Sequence, residues 1–181
     1  MMTFDSCPYL SLSYTKLRLS TCLDRLVEEY SGTDTYAEPV RNAMEYGKKI
    51  HERFKDDNII LELFPHARKI EFEKELRVAH KSGITLHGFI DCVVEDDKGT
   101  YVLELKTGYV REYSREQLAF YISLLALTNS LDPLTVKGSF VLYSPLKCFW
   151  LLPVDIEPLD IDAAVEDYIK KTGLKECICL K

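Results

Sequence analysis

Apolar residues recur at helical spacing over the first third of the chain. Ser13 stands as an N-cap, with Leu12 and Leu17 placed as a hydrophobic staple around it. Leu19, Leu23, Leu26, Val27 and Tyr30 continue one face until Ser31-Gly32 ends the run. After a loop from Gly32 to Pro39, the residues Val40, Ala43, Met44, Gly47, Ile50 and Phe54 share a second helical face that reaches about Lys55. From Ile70 the period drops to two: Ile70, Phe72, Leu76 and Val78 alternate with Glu71, Glu73, Glu75 and Arg77, as in a half-exposed strand. Lys81-Ser82-Gly83 turns it into a second strand, Ile84 to Glu95. A tight turn over Asp96 to Gly99 then leads to a third strand, Thr100 to Thr107. Ser114 reads as the cap of a long helix through Leu127. Short strands fit Lys137 to Tyr143 and Cys148 to Val154, and a last helix runs from about Asp160 to Lys171. The order α, α, β, β, β, α, β, β, α predicts an α/β sandwich with an antiparallel meander at its centre.

Composition narrows the class. A chain of 181 residues without repeats or a long linker predicts one domain over 1–181. It divides into an N-terminal helical part (about 12–57), a sheet-and-helix part (about 70–154) and a C-terminal helix and tail (about 155–181). The longest apolar stretch, Phe120 to Leu127, is far short of the roughly 18 residues a membrane span needs. The first residues lack the basic and apolar regions of a signal peptide, so a cytoplasmic protein is expected. Six cysteines then read as reduced thiols or metal ligands. With 29 acidic and 23 basic residues the net charge is −6, which counts against a broadly basic nucleic-acid binder. A local basic groove remains compatible, and Lys48, Lys49, Arg53, Arg68, Arg111 and Arg115 are its candidates.

The chemistry concentrates on one hairpin. If the turn is centred between Asp97 and Lys98, opposed residues have numbers summing to 195, and Asp91 faces Glu104 while Phe89 faces Lys106. On the other face Ile90, Cys92 and Val94 meet Leu105, Leu103 and Tyr101, an apolar set that predicts core. Two carboxylates about 5 Å apart repel unless positive charge lies between them. A divalent cation answers this, and Lys106 on the same side could orient a water or stabilise charge on a reacting phosphate. A structural ion cluster on the hairpin is the other reading. Glu73 could add a third carboxylate, although a solvent-facing role suits it better. Elsewhere Gly47 and His51 lie one turn apart on one helix face, where a close neighbour would offset the roughly 1 kcal/mol a helical glycine costs. Tyr113, Gln117 and Tyr121 form a polar-aromatic stripe at i, i+4 and i+8.

Four motifs in order, Gly-x-x-x-His (47–51), Gly-x-Ile-Asp (88–91), Glu-x-Lys-Thr-Gly (104–108) and Gln-x-x-x-Tyr (117–121), resemble the RecB-like branch of the PD-(D/E)XK nuclease superfamily. The opening Leu-Ser-Tyr-Thr-Lys-Leu with Cys22 behind it fits the same pattern, so the resemblance spans roughly residues 12–154. It implies a restriction-endonuclease-like sandwich: a central mixed sheet containing the hairpin meander, flanked by helices. It implies a metal-dependent DNA nuclease hydrolysing phosphodiester bonds, an exonuclease acting on single strands or DNA ends. His51, Asp91, Glu104 and the Leu105 carbonyl would hold Mg²⁺ or Mn²⁺, with Asp91, Glu104 and Lys106 catalytic. Gln117 and Tyr121 would contact DNA or support the site. A catalytically weak binding or assembly module with the same fold is the alternative. DNA is the expected partner, with DNA-repair or CRISPR-adaptation proteins as the partner class.

The cysteines depart from part of that branch. Its CRISPR-adaptation nucleases carry an iron–sulfur cluster on one cysteine after the first helix motif and three near the C-terminus, a C-x-x-C pair among them. Cys22 suits the first position. The tail offers only Cys177 and Cys179 without that pair, so a cluster is not favoured here. Cys148, beside Phe149 and Trp150, and Cys92, on the apolar hairpin face, read as core.

Overall fold

A computed structural model of the chain describes residues 11–12, 38–107, 110–144 and 148–172. Its elements in chain order are β1 (Ser11–Leu12), α1 (Glu38–Phe54), α2 (Asp57–Leu63), β2 (Lys69–Ala79), β3 (Thr85–Asp96) and β4 (Gly99–Lys106). After these come α3 (Glu112–Asn129), a 3₁₀ turn (Pro133–Thr135), β5 (Val136–Tyr143), β6 (Phe149–Val154) and α4 (Ile161–Thr172). The helix expected from Ser13 to Ser31 lies outside the described residues.

Local chemistry accounts for two departures from the expected boundaries. The seven-residue α2 went unpredicted. Asp56 caps it, accepting from the Asn58 amide at 2.9 Å, and Phe64-Pro65 ends it. The long helix begins at Glu112 with Arg111 as N-cap, so Ser114 is not the cap. Ser114 lies buried inside the first turn, its amide donating to the Arg111 carbonyl. At the other end Ser130 takes the left-handed conformation (φ 53°) and returns its N–H to Ala126 and Leu127.

The sheet is mixed. Its strand order is β1-β3-β4-β5-β6, with β2 along the other edge of β3; β1–β3 and β4–β5 are parallel and the remaining pairs antiparallel. Helices cover both faces. Leu118 to Ala126 of α3 and Ile161 to Ile169 of α4 pack on one face with Leu86, Ile90, Val93, Val102 and Phe140. Ile50 and Phe54 of α1 and Ile60 of α2 pack on the other with Cys92, Val94, Leu103, Leu105 and Val141.

Two features of β3 position the site. The register sum of 195 with β4 holds from Asp96↔Gly99 to Cys92↔Leu103 and stops there. β1 joins the same edge again only at Thr85 and Leu86. Residues 87–91 therefore have β2 on one side and, among the described residues, an open seam on the other. The expected pairings of Asp91 with Glu104 and Phe89 with Lys106 fall inside this seam and do not form.

At the same level the strand changes faces. Ile90 and Val93 belong to the α3–α4 core, whereas Cys92 and Val94 belong to the α1–α2 core, so Ile90 does not share their face as expected. Its neighbour β2 inverts in step: Ile70 and Phe72 pack toward α1, Leu76 and Val78 toward α3. Phe72↔Cys92 and Lys74↔Ile90 keep one register across the inversion, and Glu73 between them stands at φ 48°. A left-handed residue turns the strand over without inserting a residue.

Candidate active site

Asp91 sits at the mouth of the seam. Its Oδ2 accepts the Leu105 amide at 2.8 Å, taking the bond a ladder partner would have made. From α1, His51 places Nδ1 3.7 Å from Asp91 Oδ1, an electrostatic contact too long for a hydrogen bond. Burial pushes the Asp91 carboxyl above its ordinary pKa, against the downward pull of His51, the Leu105 amide and Lys106. The helix face that carries His51 also brings Gly47 to β4. A Cβ there would lie 3.8 Å from Thr107 Oγ1, ordinary contact distance, so the approach does not require glycine.

Glu104 and Lys106 project from β4 on the face of Val102, toward α3. Lys106 Nζ donates to Glu104 Oε1 at 2.9 Å and to Gln117 Oε1 at 3.4 Å, and Gln117 Nε2 donates to the Tyr121 hydroxyl at 3.0 Å. The ammonium fixes the Gln117 amide with its oxygen toward Lys106 and its nitrogen toward Tyr121. The Phe89 amide meets the same hydroxyl, and burial raises Tyr121 to about 12, so it stays a neutral phenol. Glu104 is only 6% exposed. Burial, followed by the Asp91 charge, pushes its carboxyl up to about 7, and its Oε2 is buried with no hydrogen-bond partner.

An orphaned carboxylate oxygen beside a second desolvated carboxylate marks a place short of positive charge. Asp91 Oδ1 and Glu104 Oε2 are oxygen donors of the kind Mg²⁺ and Mn²⁺ take, so the residues fit such an ion. Among the described residues no three His, Cys, Asp or Glu side chains form a ready-made cage. An ion here would complete its shell with a carbonyl, waters and substrate oxygens, as Mg²⁺ commonly does. Glu73 is drawn away: its carboxylate meets Lys55 at 2.6 Å and is 64% exposed.

The structure separates other predicted groups. Arg53 lies against Tyr143 of β5, whereas Arg68 holds the Asp96 carbonyl at the far end of β3. Arg111 stands over the Tyr113 ring, and Arg115 reaches the Asp155 carbonyl. The six basic residues thus do not form one groove. Cys92 is buried as expected and its thiol is pushed strongly up by that burial; Cys148 is exposed, because it precedes β6 instead of lying within it. Cys22, Cys177 and Cys179 lie outside the described residues. Among the described residues no helix is long and apolar enough to cross a membrane.

A mixed sheet between two helical layers, with two carboxylates and a lysine at a seam beside its central strands, defines a class of hydrolytic sandwich. The model of the PD-(D/E)XK nuclease superfamily matches residues 7–155. The chain belongs to that superfamily, whose members are nucleases that generally use divalent metals such as Mg²⁺ or Mn²⁺. The crystal structure of SSO0001 has a similar fold. Its TM-score is 0.52 at 17% sequence identity, covering 92% of this chain and 76% of that one. No curated protein matches the chain.

Proposed function

We propose that the chain is a metal-dependent DNA nuclease of the RecB-like branch, hydrolysing phosphodiester bonds at single strands or DNA ends. The observation that carries this reading is the buried, unpartnered Oε2 of Glu104 beside Asp91, with Lys106 held between Glu104 and Gln117. Asp91, Glu104 and the Leu105 carbonyl would hold Mg²⁺ or Mn²⁺, with His51 at its edge. The ion supplies Lewis acidity toward a phosphate oxygen. Lys106, fixed by two acceptors, orients the attacking water and offers positive charge to the phosphate as the new P–O bond forms and the old one breaks. Gln117 and Tyr121 keep that ammonium in place. A seam that is open among the described residues and flanked by helices admits a flexible strand or a frayed end more readily than the middle of a stiff duplex, which favours end-directed cutting. DNA-repair or CRISPR-adaptation proteins are the proposed partner class.

The test is cleavage of end-labelled single- and double-stranded DNA in Mg²⁺, Mn²⁺ or EDTA by wild type, Asp91→Ala and Lys106→Ala. Metal-dependent products that vanish in both variants are expected, with a ladder shortening from one end. Products that persist in both variants remove the assignment of this seam. A wild type that binds DNA but cuts no substrate favours the weak binding-module reading instead.

A further inference from the structure

Helix α1 carries a second stripe that the hydrolytic chemistry leaves unused. Gly47 and His51 face Thr107 and Asp91, while Tyr46 and Arg53, two turns apart, face the β5–β6 hairpin. The Tyr46 and Tyr143 ring centroids are 6.4 Å apart at an interplanar angle of 59°. Tyr143 and Phe149 follow at 4.9 Å and 54°. The Arg53 guanidinium stands 5.7 Å from the Tyr143 ring and 5.9 Å from the Phe149 ring, and its Nη1 donates to the Tyr143 hydroxyl at 2.9 Å. Three rings and one arginine thus form a continuous run.

The run lies on the α1 face of the sheet, across from Lys106 and Glu104, and reaches the site along α1: Gly47, next to Tyr46, approaches Thr107 at the end of β4, and His51 one turn on meets Asp91. Packing explains the inner members, since Tyr143 and Phe149 lie on the α1–α2 core. It does not explain Tyr46, which is 50% exposed. That ring leans on a tilted aromatic run that Arg53 stiffens, and half of the residue stays exposed. A rigid aromatic face with a fixed cation beside it is what an unpaired base and its phosphate require. Bases within a duplex have both faces covered and cannot use it.

We propose that Tyr46, backed by Tyr143, Phe149 and Arg53, is a stacking platform for an unpaired base of single-stranded DNA held at the seam, an inference that rests on the nuclease reading. The test measures binding by fluorescence anisotropy in EDTA, which prevents turnover. The probes are an oligothymidylate, the same length with abasic positions, and a blunt duplex; the proteins are wild type, Tyr46→Ala and Tyr46→Phe. Tyr46→Ala should weaken oligothymidylate binding about tenfold, and Tyr46→Phe, which keeps the ring, less than about twofold. The abasic strand and the blunt duplex should bind wild type and Tyr46→Ala alike. Equal oligothymidylate affinity of wild type and Tyr46→Ala overturns the platform, and the nuclease reading stands if both still cut DNA in Mn²⁺. Tyr46-dependent binding by a protein that cuts nothing upholds the platform and removes the nuclease. A wild type that neither binds nor cuts removes both.

Discussion

Gly88 lacks a side chain where Tyr121 needs the space. A Cβ there would stand 2.8 Å and 3.1 Å from two ring carbons of Tyr121 and 3.4 Å from Leu124 Cδ2, and both neighbours are buried. Tyr121 cannot swing away cheaply, because it is buried and Gln117 holds its hydroxyl. Gly88→Ala therefore displaces the ring, and with it the Gln117 oxygen that steadies Lys106. The expected cost is about 1–3 kcal/mol of stability, as for other overpacked cores, together with a fall in kcat. Gly47→Ala is the contrasting case: among the described residues its Cβ meets only Thr107 Oγ1 at 3.8 Å, so the helix gains up to about 1 kcal/mol. Urea midpoints of the two variants decide this, and equal midpoints would count against the packing argument.

The face inversion shared by β2 and β3 is a property of the pair of strands. Glu73 alone takes φ 48° there, and its exposed pairing with Lys55 adds little to offset the strain. Glu73→Gly should be neutral or slightly stabilising, because glycine adopts that conformation freely. Glu73→Val should cost about 1–2 kcal/mol, because a β-branched residue resists it. If valine proves as stable as glycine by thermal melting, the left-handed turn is not what inverts the strands. The inversion also marks where the sequence stops being legible. Alternation across the Asp96–Gly99 turn gave the β3–β4 register correctly from Asp96 to Cys92, and the central helix, the β2–β3 and β3–β4 hairpins and the site strands stand where the periodicity put them. Alternation cannot say which of two apolar layers a residue meets. Ile90 and Cys92 read as one face because both are buried, although different cores bury them. The short α2 vanished into its apolar cluster for a similar reason. His51 gives no sign in its own residues of a partner; only the motif order pointed to it, and the structure brings its ring beside Asp91.

At the scale of the whole molecule, the two cores hold the sheet rigid around the seam, while a chain of net charge −6 keeps two of its carboxylates out of water there. That arrangement links folding, pH and metal. Glu104 titrates near its ordinary 4.5 when unfolded and near about 7 when folded, so the fold favours its protonated form. Without metal, the stability this group contributes is full below 4.5 and is lost as pH rises through about 7, and Asp91 acts in the same direction. A cation needs both carboxylates ionised and must displace their protons, so its affinity climbs over the same range. The melting temperature in EDTA should therefore fall between about pH 5 and pH 8 in wild type and fall less in Glu104→Gln. Saturating Mn²⁺ should restore it at about pH 8, where a ligand at a hundred times its dissociation constant adds about 2.7 kcal/mol. It should do little at about pH 5, and nothing at either pH in Asp91→Ala. Differential scanning calorimetry at the two pH values separates the possibilities without any substrate. A Mn²⁺ effect of equal size at both, or one that survives Asp91→Ala, would place the ion elsewhere on the molecule. In that case the orphaned Glu104 oxygen would be a strained structural carboxyl, held by Lys106, and no longer half of a metal seat.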